Sequence, residues 1–296
     1  MTRIALTERL RQGVFFIDGA MGTQLIAAGA PAGCCNDYLN IESPEIVKTV
    51  HQKYIDTGVD AIITNTFGGN ALVLKRHGLA DKAFEMNLAA AKLARSVAGQ
   101  DKYVLGDIGP CGDFLEPLGM VKEEQLKAAF AEQVRGLVEG GVDGFIIETM
   151  TALDEIKVAI EAIQSVSDLP VLVSLAYDPA GDAARTMMGV TPQQAVEQLV
   201  PLGIVALGFN CGTLDMAGYV KLAQAYAQSL KDSDVLLLAE PNAGRPELDG
   251  DKAVYKLSAQ DYAEALVKIQ QAGASILGGC CGTTPEHITA AVKKIR

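Results

Sequence analysis

A (β/α)8 barrel, one α/β domain spanning 1–296, is the fold class this sequence predicts. Three observations lead there: eight short apolar, β-rich runs, a helical pattern after each, and chemically distinctive residues where the runs end. The runs are VFFID (14–18), AIITN (61–65), YVLGD (103–107), GFIIE (144–148), VLVSLA (171–176), VALGFN (205–210), VLLLAE (235–240) and ASILGG (274–279). Each is continuous rather than alternating, as expected of a strand covered on both faces by crossover helices.

Helical periodicity follows at roughly 43–57, 81–98, 122–139, 152–166, 191–201, 215–230, 258–271 and 285–295. Three of these open on Ser43-Pro44-Glu45, Thr191-Pro192-Gln193 and Thr284-Pro285-Glu286. Each offers an N-cap hydroxyl followed by proline at the first helical position. The segment MTRIALTERLRQG reads as a short amphipathic helix ended by Gly13, with an apolar run too short and interrupted for a signal peptide. Eight βα units in a chain of this length match the barrel; the competing architecture is an open doubly wound sheet, and no G-x-G-x-x-G is present to support it. In a barrel, Asp18, Asn65, Asp107, Glu148, Cys211, Glu240 and Cys280, all at or just past strand ends, would surround a single mouth.

Lys and Arg number 25 against 36 Asp and Glu, a net charge of −11 with no basic cluster. That balance argues against nucleic acid or an anionic membrane surface as partner. No stretch approaches eighteen consecutive apolar residues, so no membrane span is expected. Six cysteines without a secretory signal point to metal or thiol chemistry in the cytoplasm rather than a disulfide framework.

Cys211 follows the sixth strand in GFNCGT, and Cys280 and Cys281 follow the eighth in GGCCGT. Neighbouring residues on a strand point to opposite sides, but Gly278, Gly279 and Gly282 permit a turn that brings both sulfurs inward. Three thiolates around zinc leave a fourth tetrahedral position open, the mark of a catalytic site. Two other readings stand beside it: cysteines as small buried hydrophobes, and a vicinal disulfide or redox pair. Cys34 and Cys35 lie in a loop without partner ligands and read as surface residues. Cys111, past the third strand, is a candidate fourth ligand that would make the site structural. His51, His77 and His287 fall in or beside helical, solvent-facing patterns and are expected to be neither ligands nor bases.

The loop DGAMGT (18–23) has Gly19 and Gly22 placed to let backbone N–H groups converge on an anion. It lacks the lysine and spacing of a phosphate loop, so a carboxylate suits it better. Asp18 and Glu148 together could hold an ammonium, because a buried cation needs paired carboxylates. The combination describes a zwitterionic α-amino acid bearing a thiol.

IDGAMGTQL, AIITNTFGGN, GDIGPCG, FIIETM, GFNCG, AEPNAGRP and GGCCGTTPEHI, in this order over nearly the whole chain, resemble the zinc-dependent homocysteine S-methyltransferase family. The likeness is greatest to the homocysteine-binding module of cobalamin-dependent methionine synthase. It implies a (β/α)8 barrel with zinc on Cys211, Cys280 and Cys281 and the homocysteine thiolate as fourth ligand. It further implies that the amino group meets Asp18 and Glu148, and that the carboxylate meets amides of the Gly19–Gly22 turn. Asn242 in EPNAG takes the position of a family asparagine near the metal, and Asn65 and Thr66 line the mouth.

Two departures bear on the methyl donor. The folate, cobalamin and activation modules of methionine synthase are missing, and so is the cobalamin-ligating D-x-H-x-x-G. Relatives that use betaine hold a quaternary ammonium with aromatic groups including tryptophan, and this chain has no Trp. The expected donor is methylcobalamin on a separate corrinoid protein, with S-methylmethionine or another sulfonium or ammonium compound as the alternative. Readings of another class are a structural or redox zinc-thiolate protein and a metal-free barrel enzyme acting on an unrelated acid.

Overall fold

The computed structural model describes residues 3–31, 33–250 and 252–296. Eight parallel strands form one sheet: β1 (Phe15–Phe16), β2 (Ala61–Ile63), β3 (Tyr103–Ile108), β4 (Gly144–Met150), β5 (Val171–Leu175), β6 (Ala206–Asn210), β7 (Leu236–Glu240) and β8 (Ile276–Leu277). Pairing runs β1-β8-β7-β6-β5-β4-β3-β2, with Phe15 opposite Ile276 at one end and Ala61 opposite Tyr103 at the other. The seam between β1 and β2 is closed by other means. Asp60 N–H donates to the Phe16 carbonyl (2.7 Å), Phe16 N–H to the Asp60 carboxylate (2.7 Å), and Ile63 N–H to Asp18 Oδ2 (3.1 Å). The result is a nearly closed (β/α)8 barrel.

The barrel helices are α1 (Pro44–Ile55), α2 (Ala83–Ala98), α3 (Glu123–Gly140), α4 (Leu153–Gln164), α5 (Pro192–Leu199), α6 (Met216–Leu230), α7 (Ala259–Gln271) and α8 (Pro285–Ile295). Thr191 and Thr284 make the expected caps, accepting from the N–H of Gln194 and His287. Ser43 makes none. A short helix at Leu39–Glu42 runs directly into it, and Ser43 N–H donates to the Leu39 carbonyl, so Ser43 is a kink between two helices rather than an extended N-cap.

Alternation along the strands divides the core as a barrel requires. Phe15, Ile17, Leu105, Ile146, Leu172, Leu238 and Ile276 fill the interior, whereas Phe16, Ile62, Val104, Phe145, Val173 and Leu207 meet the helices. Leu6 and Leu10, from the helical segment ahead of β1, join the interior group and plug its N-terminal end. Their burial contributes roughly 1.5–3 kcal/mol each and leaves the opposite end as the open one.

His51 departs from expectation. It is fully buried in α1 with neither ring nitrogen hydrogen-bonded, and burial pulls it down to about 4. The apolar environment of Val47, Val50 and Tyr54 on the same helix places it on the inward face. His77 is exposed, and the half-buried His287 ring lies 2.8 Å from Thr284 Oγ1 and 2.9 Å from the Leu257 carbonyl. Two β-hairpins that periodicity did not indicate, Asp178–Ala180 with Ala183–Arg185 and Glu247–Asp249 with Lys252–Val254, rise from the loops after β5 and β7. Among the described residues, no helix is long and apolar enough to cross a membrane.

Candidate active site

The three predicted sulfurs meet at the C-terminal mouth. Cys211 adopts φ +52°, a left-handed conformation that is rare outside glycine, and Gly212 follows at φ +79°. A Cβ on Gly212 would lie 2.0 Å from the Tyr177 carbonyl oxygen, so only glycine lets the chain turn back here. Tyr219 of α6 donates to the Cys211 carbonyl and fixes the turn from behind. On the other side, Cys280 N–H donates to the Pro241 carbonyl and Ala243 N–H to the Cys281 carbonyl, both at 3.0 Å. Those bonds clamp the cysteine pair to the loop after β7.

Cys211 Sγ lies 3.8 Å from Cys281 Sγ, and Cys280 Sγ lies 4.0 Å from Cys281 Sγ. All three sulfurs fall within 4.8 Å of one another, and all six cysteines are free thiols. Three corners of a tetrahedron with metal–sulfur bonds near 2.3 Å stand about 3.8 Å apart, so the trio fits an ion of zinc's size and preference. Hydrogen bonds from the Cys211 and Cys280 thiols pull Cys281 down to about 3, which sets the trio to carry a thiolate at neutral pH.

Asn242 is fully buried between the two cysteine segments. Its Nδ2 donates to the Gly212 carbonyl (2.8 Å), and its Oδ1 has no partner. Asp18 accepts from Ile63 N–H through Oδ2, while Oδ1 is buried and unpaired. Glu148 Oε2 accepts from Asn210 Nδ2 at 3.2 Å; burial, then the nearby Cys281 charge, push this carboxyl up to about 7. Gly19 passes so close to Thr283 and Tyr54 that a Cβ would sit 2.6 Å from Thr283 Oγ1. Gly22 stands in the first turn of the helix Met21–Ala27. Between them, Ala20 N–H is committed to Thr283 Oγ1 and is withdrawn from any anion site. Asn65 is tied down as well: its Nδ2 donates to the Asn36 carbonyl (2.7 Å), anchoring the loop after β1.

Cys111 lies outside the sulfur trio. Its thiol donates to the Asp113 carbonyl, its N–H donates to Glu155, and burial followed by the Glu155 charge pushes the thiol up to about 12. Cys34 and Cys35 are half-buried and packed against the core rather than on an open surface.

Sequence reasoning missed Asn210. This fully buried amide donates to Glu148, Thr149 Oγ1 and Cys280 Sγ (3.6 Å), and accepts from Thr149 N–H and Ser174 Oγ. Its place just before Cys211 was the available signal. Thr149, at φ +61°, is the other non-glycine left-handed residue among the described residues; it hydrogen-bonds to Asn210, the residue just before Cys211.

The profile of the homocysteine S-methyltransferase family matches residues 15–295, almost the whole barrel. The chain belongs to that family. Among curated members, methionine synthase from Mycobacterium leprae is 34% identical over 301 residues, and that from Mycobacterium tuberculosis 33% over 312. These alignments cover 96% and 98% of this chain but only 24% and 26% of the relatives, so the chain spans about a quarter of their length. In fold, this homocysteine S-methyltransferase family member resembles the homocysteine methyltransferase MmuM from Escherichia coli. The oxidized form superposes with a TM-score of 0.78 at 24% identity, covering 98% of both chains. The metallated form gives 0.77 at 24% identity, covering 98% of this chain and 99% of the other.

Proposed function

We propose that the protein transfers a methyl group to the thiol of homocysteine, giving methionine, with zinc held by Cys211, Cys280 and Cys281. The observation that carries this reading is the sulfur triangle, 3.8 and 4.0 Å on two sides, at the mouth that also holds Asp18 and Glu148. Three free thiols reserved for a metal suit the reducing cytoplasm.

A zinc ion held by Cys211, Cys280 and Cys281 would lower the pKa of a substrate thiol, so that the thiol would lose its proton to solvent and stay anionic at neutral pH. The chain's own residues do the rest. Asp18 and Glu148 accept from the substrate ammonium, amides of the Gly19–Gly22 turn other than that of Ala20 receive its carboxylate, and Asn242 fixes Gly212 so that Cys211 holds its angle. The substrate sulfur then contributes a lone pair to the new S–CH3 bond. The methyl carbon's bond to the donor breaks and its electron pair leaves with the donor. The resulting thioether is neutral and departs.

For the donor we favour methylcobalamin on a separate corrinoid protein. Large apolar side chains stand exposed on loops around the mouth: Phe67 after β2, Leu118 and Met120 after β3, Met187 after β5 and Leu248 after β7. Met120 and Leu248 are 82% and 84% exposed, apolar side chains that a docked partner protein would cover. The test supplies the zinc-loaded protein and homocysteine with methylcobalamin or with S-methylmethionine and measures methionine. Turnover with methylcobalamin is expected; turnover only with the sulfonium compound rejects the corrinoid donor, and turnover with neither rejects the activity.

A further inference from the structure

Asp18 and Glu148 are not the only acids inside the mouth. Asp107 stands one residue before the end of β3 and Glu240 closes β7. With Asp18 just past β1 and Glu148 in β4, four carboxylates collect at the same end of the barrel, and Asp37 of the loop after β1 also acts on Asp107. Asp18, Asp107 and Glu240 are 2%, 4% and 1% exposed. Asp18 Oδ1, Asp107 Oδ1 and Glu240 Oε2 have no hydrogen-bond partner among the described residues. A native interior seldom leaves three acceptors unsatisfied in one place unless something absent from the protein satisfies them.

The backbone around Asp107 is held firmly. Its N–H lies 3.0 Å from Thr64 Oγ1, and its carbonyl accepts from Thr66 Oγ1 and Gln133 Nε2. The carboxylate is therefore presented by a rigid strand end. The four acids do not converge on a bare metal ion: among the described residues only the three cysteines bring three ligand atoms within 4.8 Å of one another. The unpaired oxygens call instead for a cation that donates hydrogen bonds. Burial, then repulsion from Glu148, pushes both Asp107 and Glu240 well above the usual carboxylate range, and a cation set among them would favour their ionised form.

We propose that Asp107 and Glu240 determine specificity for the substrate's amino group, forming with Asp18 and Glu148 a four-sided ammonium cage. This rests on the homocysteine reading above. An ammonium has three N–H donors; Asp18 and Glu148 take two, and the unpaired oxygens of Asp107 and Glu240 flank the third.

The test is calorimetric binding of homocysteine and of its des-amino analogue, 4-mercaptobutanoate, to the zinc-loaded wild type, Asp107→Asn and Glu240→Gln. The wild type is expected to prefer homocysteine. Each variant is expected to lose on the order of 10–100-fold in homocysteine affinity while binding the analogue within about twofold of wild type. An equal loss for both ligands, or no loss, overturns the proposal and leaves the homocysteine reading standing. A wild type that shows no preference overturns the proposal together with that reading. Should one variant fail to fold, the other decides, since both residues are assigned the same role.

Discussion

The carboxamide of Asn210 bridges Glu148 and the cysteine cluster: its Nδ2 lies 3.2 Å from Glu148 Oε2 and 3.6 Å from Cys280 Sγ. One side chain thus orients both halves of the proposed site, the ammonium acceptor and a sulfur ligand. Replacing Asn210 with alanine leaves the hydroxyl of Ser174 and the N–H of Thr149 without their acceptor. A stability loss of about 1–3 kcal/mol is expected from those groups. Homocysteine binding is expected to weaken at the same time. Urea denaturation and calorimetry check the two effects separately, and a variant that binds homocysteine normally contradicts the bridging role.

Gly212→Ala tests the turn that presents Cys211. At φ +79°, with a Cβ position 2.0 Å from the Tyr177 carbonyl oxygen, any side chain must displace backbone. A destabilisation of at least about 1–3 kcal/mol is expected, together with reduced zinc content as Cys211 swings away. Gly181, at the tip of the hairpin after β5, has open space around its Cβ position and serves as the comparison. Its alanine variant carries only the strain of φ +63° and is expected to keep its metal.

His51 predicts a pH dependence of stability. Its folded value of about 4 lies below the ordinary 6.5, so between those pH values the unfolded chain binds the extra proton and the folded protein does not. Stability from this group is present above about 6.5 and is lost progressively as pH falls towards 4, a total of about 3 kcal/mol. His51→Phe removes the titration. Thermal melts from pH 7 to pH 4 are expected to show a shallower decline for the variant, and parallel curves would contradict the assignment.

Much of this was legible beforehand because barrel strands announce themselves as continuous apolar runs and barrel chemistry collects at their ends. Cys211, Cys280, Cys281, Asp18 and Glu148 stood out by their places at strand ends, and the structure brings the three sulfurs within 4.8 Å of one another. Asp107 and Glu240 were seen at the same ends but not assigned, since a carboxylate in sequence does not reveal whether its second oxygen finds a partner. Asn210 was hidden for a related reason: an asparagine inside an apolar run reads as the end of a strand, and its hydrogen bonds cross to residues roughly 36–70 positions away. His51 was misplaced because one histidine on an amphipathic helix leaves the inward face undecided until the helix is docked. The cap at Ser43 failed because the preceding four residues formed a helix of their own.

The central claim is that Cys211, Cys280 and Cys281 hold one zinc ion with its fourth position kept for the substrate sulfur. Zinc K-edge X-ray absorption, recorded on the purified protein with and without homocysteine, tests it most directly. The predicted result is three sulfur neighbours at about 2.3 Å and one lighter atom without substrate, becoming four sulfurs when homocysteine is added. Four sulfurs at the outset, or a coordination shell that homocysteine leaves unchanged, would contradict it.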